Sequence, residues 1–138
     1  MDFRRVALIV PYDQEHVLLQ NRKKINKPHK VDYGLFGGGI EEGESVEQAL
    51  RREVKEELSL DIANLKDLEF FKKYDYFNDE QKICRELNIF ICKLPKIRKE
   101  GVHEGEAEIF TFEEAEKLFI SQQDKKIVRE ILDYISKK

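Results

Sequence analysis

Glu53, Glu56 and Glu57 stand three and four residues apart within Arg52-Glu53-Val54-Lys55-Glu56-Glu57. That spacing puts three carboxylates on neighbouring turns of one helix face. At about 1.5 Å rise per residue, Glu53 and Glu57 lie roughly 6 Å apart along the axis, close enough to share bound cations. The same helix carries a core stripe of Val46, Ala49, Leu50, Val54 and Leu58. Helical projection drops Glu53 inside that stripe, turns Glu57 inward and leaves Glu56 at its edge. Carboxylates gathered in this way repel one another and lose hydration unless something positive lies between them. A hard divalent cation, Mg²⁺ or Mn²⁺, is the counter-charge such an oxygen-only set calls for.

Acid-rich helices also occur with no such role, and Arg51, Arg52 and Lys55 could satisfy these acids as surface pairs. The preceding loop separates the two readings. Gly37-Gly38-Gly39 costs backbone entropy, and its use here is a tight path that brings main-chain carbonyls close to the helix face. A phosphate-cradling P-loop requires Gly-Lys-Ser/Thr; here Glu41, Glu42 and Glu44 follow, and they would repel a bare phosphate. A phosphate docks on such a site only through metal.

Gly38, five residues, Glu44, seven residues, then Arg52-Glu53-Val54-Lys55-Glu56-Glu57-Leu58-Ser59-Leu60 resembles the signature of the Nudix hydrolases, Gly-x5-Glu-x7-Arg-Glu-U-x-Glu-Glu-x-Gly-U, with U a bulky aliphatic residue. The departure is Ser59, where the family has Gly; Ser there costs about 1 kcal/mol if the backbone is left-handed. Outside the motif, Phe36 stands where many members carry Pro and Tyr33 where many carry Trp. The resemblance implies an α/β (α+β) fold, a Nudix-type αβα sandwich with a central mixed β-sheet and a catalytic loop-helix-loop. It implies cleavage of a nucleoside diphosphate linked to another group, by water attack on phosphorus assisted by Mg²⁺ or Mn²⁺. Glu56 and Glu57 would then be the principal metal ligands, and Glu53 a further ligand or the base for the attacking water. The Gly38 carbonyl would complete the coordination. Arg52 would orient the carboxylates through Glu53 or Glu44. Members often recruit one more carboxylate downstream, for which Glu104 and Glu106 are the candidates; Glu106 ranks higher because it adjoins the strand to Phe110.

The favoured substrate is a nucleoside triphosphate or an oxidised form of one. Nucleotide sugars, ADP-ribose and dinucleoside polyphosphates are the alternatives. The fold also hosts an isopentenyl diphosphate isomerase, which needs a reactive Cys poised against a Glu, and neither Cys84 nor Cys92 falls near the motif. A non-catalytic nucleotide-binding module would show eroded carboxylates, yet Glu44, Glu53, Glu56 and Glu57 are all present. For substrate binding, Arg22, Lys23, Lys24, Lys27 and Lys30 form a basic loop that could grip a distal phosphate. Tyr33, Phe70, Phe71, Tyr74, Tyr76 and Phe77 could supply a stacking wall, with Tyr33 and Tyr76 preferred. His16, His29 and His103 show no metal-ligand spacing.

These residues need elements to hold them. The pattern predicts a hairpin of Arg5–Val10 and His16–Gln20 around Pro11-Tyr12-Asp13-Gln14-Glu15. A loop follows over Arg22–Lys30, then a short strand Val31–Phe36 ending in the glycines, and a helix from Ser45 to Leu58 opened by a Ser45/Gln48 capping box. Long strands Leu68–Tyr76 and Lys82–Leu94, a charged loop Pro95–Gly105 and a strand Ala107–Thr111 come next. Two helices close the chain, Phe112–Phe119 and Asp124–Ile135, the second burying Ile127, Val128, Ile131, Leu132 and Ile135. Strands around one mid-chain helix, with helices again at the end, read as a layered α/β domain.

The chain's 138 residues suit one domain, taken as 1–138 with the motif at 38–60. Twenty-five basic against 28 acidic side chains, a net −3, argue against a nucleic-acid polymer as partner. With 41% hydrophobic and 38% charged residues, a core within a solvated surface is expected. No apolar run suggests a membrane span, and two cysteines without a framework read as reduced thiols in a cytoplasmic protein. A nucleotide-like small molecule is the expected partner, and the assembly a monomer or homodimer.

Overall fold

The computed structural model describes residues 2–22, 32–80, 82–95, 107–118 and 120–138. Its spine is the strand β1 (Asp2–Tyr12), whose side chains alternate between two cores. Ala7 and Ile9 face one side of the sheet, Leu8 and Val10 the other. Around β1 are β2 (His16–Asn21), β3 (Tyr33–Gly34), β4 (Phe36–Gly39), β5 (Glu69–Asn78), β6 (Ile83–Lys93) and β7 (Ala107–Thr111). The sheet runs β3-β2-β1-β6-β5, with β4 paired to β1 and β7 to β2. β1 and β6 are parallel along their whole length, Asp2↔Ile83 through Tyr12↔Lys93, while the other pairs are antiparallel.

Each face is covered by helix. On one side α1 (Val46–Leu58) lays Ala49, Leu50, Val54 and Leu58 against Ala7, Ile9, Leu18 and Phe36. On the other, α2 (Phe112–Lys117) and α3 (Gln122–Ser136) pack Phe112, Ala115, Ile127, Val128 and Ile131 on Leu8, Val10, Leu87, Ile89 and Ile91. This is an αβα sandwich around a mixed sheet, as expected. Ser45 caps α1 reciprocally with Gln48, again as the spacing predicts. Ser121 caps α3, which therefore begins at Gln122, two residues before the expected Asp124.

Two expectations about the sheet and the core are corrected. The glycines do not follow a strand; they form one, with Leu8↔Gly37, Ala7↔Gly38 and Val6↔Gly39 in register. A Cβ at Gly37 would overlap the Ala7 carbonyl oxygen, and its φ of 132° is open only to glycine. Leu132, expected in the core, is 38% exposed, because the apolar stripe of α3 runs through Ile127 and Ile131 one turn apart. A short 3₁₀ turn, Ile62–Asn64, capped by Asp61, tucks Ile62 beneath α1.

Ser59 ends α1 in the left-handed region (φ 55°, ψ 32°), its N–H bonded to the Lys55 carbonyl. A β-carbon is disfavoured there. Replacing Ser59 with Gly is expected to stabilise the fold by about 1 kcal/mol, seen as a higher urea midpoint at unchanged m. An unchanged or lower midpoint would mean that Ser59 makes a compensating contact.

Candidate active site

Arg52 knots the loop after the glycines to α1. Its Nε and Nη2 donate to both oxygens of Glu44 at 2.9 Å, Nη2 also to the Gly39 carbonyl at 3.0 Å, and Nη1 to Glu53 at 2.8 Å. Only a planar fork reaches three acceptors in this way. Glu44 also accepts from the Glu41 N–H at 2.9 Å. The Arg52 hydrogen bonds, then that N–H, hold the Glu44 carboxyl at about 2 and the Arg52 guanidinium above its ordinary value. Arg52 thus takes both expected partners, Glu53 and Glu44.

Glu53 and Glu57, one turn apart, face the glycine strand. A Cβ at Gly38 would sit 2.6 Å from Glu53 Oε1, so the absent side chain is what lets the carboxylate lie against the backbone. Glu57 Oε2 accepts from Gln20 Nε2 at 3.1 Å and from the Gly37 N–H at 3.4 Å. Gln20 is itself buried and held by Arg22 Nε at 2.9 Å, giving a relay Arg22–Gln20–Glu57. Burial first, then the hydrogen bond and charge of Glu53, push the Glu57 carboxyl from 4.5 up to about 8. Two neighbouring carboxyls disfavour each other's ionisation when no cation is present. Glu56 is exposed, 3.8 Å from Arg52 Nη1, at the rim of the same face. Among the described residues no three such side chains converge into a finished metal cage. The donors fit a hard cation nonetheless: they are all oxygens, and a cation would relieve the repulsion between the two half-buried acids.

The Gly37–Gly39 edge opens into a cavity of about 630 Å³, lined also by Arg22, Tyr76, Arg85 and Asp124. That is the size of a small-molecule site. Two of the residues expected to bind substrate, Arg22 and Tyr76, are therefore at the cavity. Tyr33 is not: it is buried edge-to-face on Phe110, ring centroids 5.3 Å apart, and serves as packing. Phe71 packs on Tyr134, Tyr74 donates to Glu130, and Phe70 and Phe77 lie half-exposed elsewhere on β5. Lys23, Lys24, Lys27, Lys30, Glu104, Glu106, His29 and His103 lie outside the described residues. Sequence reasoning missed Gln20, Arg85 and Asp124. The Asp124 carboxyl is raised by burial, against the pull of Arg22 and Ser121. Cys92 is fully buried on the α1 side and its thiol is pushed up to about 12, which makes it no nucleophile.

The NUDIX domain model matches residues 2–131. The chain belongs to the Nudix family. Solved structures repeat the fold. A mutator MutT protein from Bacillus halodurans is 25% identical, with 94% of this chain and 82% of that one covered and a TM-score of 0.68. The E. coli ORF135 protein is 17% identical, with 100% and 94% covered and a TM-score of 0.72. NrtR from Shewanella oneidensis, solved with a 27mer DNA, is 17% identical with a TM-score of 0.74, but the match spans 99% of this chain and 63% of that one. No curated protein matches the chain significantly. Among the described residues no helix is long and apolar enough to cross a membrane.

The Glu57 carboxyl makes metal-free stability depend on pH with a definite sign. Below about 4.5 it is protonated in both folded and unfolded chains. Between 4.5 and about 8 only the unfolded chain has lost the proton, so stability falls as pH rises through this window. Denaturation of the parent and Glu57→Gln in EDTA across this range is expected to show the parent losing stability relative to the variant. Parallel profiles would contradict it.

Proposed function

We propose that this Nudix domain hydrolyses a phosphoanhydride bond of a nucleotide-type diphosphate, with Mg²⁺ or Mn²⁺ as cofactor and a nucleoside triphosphate, ordinary or oxidised, as the favoured substrate. The reading rests above all on the Glu53–Glu57 pair, with Glu53 against Gly38 and Glu57 at the Gly37 N–H, beside the glycine edge of a nucleotide-sized cavity. Residues 1–138 act in it as one domain.

Glu56, Glu57 and the Gly38 carbonyl would hold the cation, with Glu106 as a further ligand. The ion would supply charge neutralisation of the diphosphate and a more acidic bound water. The remaining work falls to the chain. Arg52 fixes Glu53 and the 39–44 loop together, so that the glycine carbonyls and the helix acids keep one spacing. Glu53 either joins the ligands or takes the proton of the attacking water. Arg22 and Tyr76 line the cavity for the nucleoside, and Lys23 adds positive charge for a distal phosphate. The two-carboxyl site repels a bare phosphate, so the partner this reading favours is a small-molecule polyanion that arrives with a cation.

The test is turnover of nucleoside triphosphates, nucleotide sugars, ADP-ribose and dinucleoside polyphosphates with Mg²⁺, scored for phosphate or pyrophosphate release. Glu57→Gln is expected to lower kcat/KM by about 100-fold or more and to abolish most of the Mg²⁺-induced rise in Tm. Arg52→Lys, which cannot reach Glu44, Gly39 and Glu53 together, should cost about 10–100-fold. Glu53→Gln separates its two roles: a lost ligand raises the Mg²⁺ needed for half-maximal rate, and a lost base lowers the rate at saturating Mg²⁺. If no compound turns over, the hydrolase reading fails.

A further inference from the structure

The cavity beside the glycine strand is lined by Arg4 and Arg85, which the proposed reaction leaves unused. Its floor is apolar, formed by Val6 and Leu8 of β1 with Leu87 of β6. Strand register sets Arg4 beside Arg85 across the parallel β1–β6 pair, and Arg85 beside Tyr76 across β5–β6. Residues two apart on a strand share a face, so Arg4 and Arg85 project on the side of Val6 and Leu87, and both line the cavity. Like charges on directly paired residues of adjacent strands destabilise a sheet.

Among the described residues that line the cavity are the guanidinium groups of Arg4, Arg22 and Arg85 and the carboxyl of Asp124. Arg22 is the cation that acts on Asp124, and it is also tied to Gln20 and to the Leu35 carbonyl at 2.9 Å. Arg85 has no comparable anchor: its Nε is buried without a hydrogen-bond partner. A buried donor left unpaired is costly and rare in native proteins. Arg85 nonetheless lines the cavity, so a ligand there meets its guanidinium group.

We propose that Arg85, with Arg4 at its side, binds a phosphate group of the substrate other than the diphosphate held at Glu53 and Glu57. For the identity of that diphosphate the inference rests on the hydrolase reading. Val6 pairs with Gly39, and Arg4 lies two residues farther along β1, about 7 Å at the usual strand rise. One nucleotide can span from the glycine edge to the arginine pair. An arginine fork suits a phosphate oxygen pair better than any neutral group. A terminal phosphate of a triphosphate and a phosphate monoester on the ribose share this chemistry.

Substrate pairs that differ by one phosphate distinguish the sources. One pair is a nucleoside triphosphate and its diphosphate; the other is a nucleotide sugar with and without a ribose phosphate monoester, each assayed with Mg²⁺. The parent is expected to prefer the extra phosphate in one pair by about tenfold or more in kcat/KM. Arg85→Gln should erase that preference, mainly through KM, and Arg85→Lys should recover part of it. Both variants should melt no lower than the parent, since the orphaned Nε–H contributes no native bond. A preference that survives in Arg85→Gln, or a parent indifferent in both pairs, overturns the proposal. Thermal shift with tripolyphosphate in EDTA separates the two readings. If nothing turns over yet tripolyphosphate raises the parent's Tm and not that of Arg85→Gln, the phosphate site stands and the hydrolase reading fails. If turnover is normal and the shift is equal in both proteins, the phosphate site fails alone.

Discussion

The molecule is organised around two carboxyls, Glu53 and Glu57, pressed one helical turn apart against a strand made of glycine. Like charges at that separation, away from water, cannot both ionise without a counter-charge. Every neighbouring feature follows from keeping them there. Gly38 has no side chain because Glu53 occupies its place. Arg52 binds Glu53 and Glu44 but not Glu57, so only one member of the pair has its charge met by this guanidinium. Gln20 and the Gly37 N–H orient Glu57 without supplying charge.

The sandwich is the frame this arrangement needs. β1 serves two cores with alternate side chains, and β4 reaches across its edge as backbone alone. The acids therefore approach from the α1 side while the cavity lies on the α3 side, and the glycine strand borders both. Bulk at Gly37 or Gly38 would push the acids and the cavity apart. The site is consequently a property of the sheet's register, not of one loop.

Much of this was legible in the sequence, for local reasons. The capping box, the core stripe of α1 and the inward turn of Glu53 and Glu57 all lie within about four helical turns, where periodicity reports geometry directly, while the partnership of Arg52 with Glu44 came from the family resemblance. The left-handed Ser59 was readable because a motif departure at a helix end has one physical meaning. What was not legible depends on long-range pairing. Tyr33 looked like a base-stacking residue until its strand placed it on Phe110. Arg85 reads as one charge in an alternating strand, and only its registers with Arg4 and Tyr76 bring it to the cavity. Gln20 and Asp124 likewise gain meaning from elements dozens of residues away.

The central claim is that a divalent cation takes the place of a proton between Glu53 and Glu57. Calorimetric titration of the metal-free protein with Mg²⁺ or Mn²⁺ at pH 7, repeated in buffers of different ionisation enthalpy, counts the protons released on binding. The account predicts release of about one proton by the parent and none by Glu57→Gln, because the folded carboxyl holds its proton up to about 8. Cation binding with no proton released, or no binding at all, would contradict it.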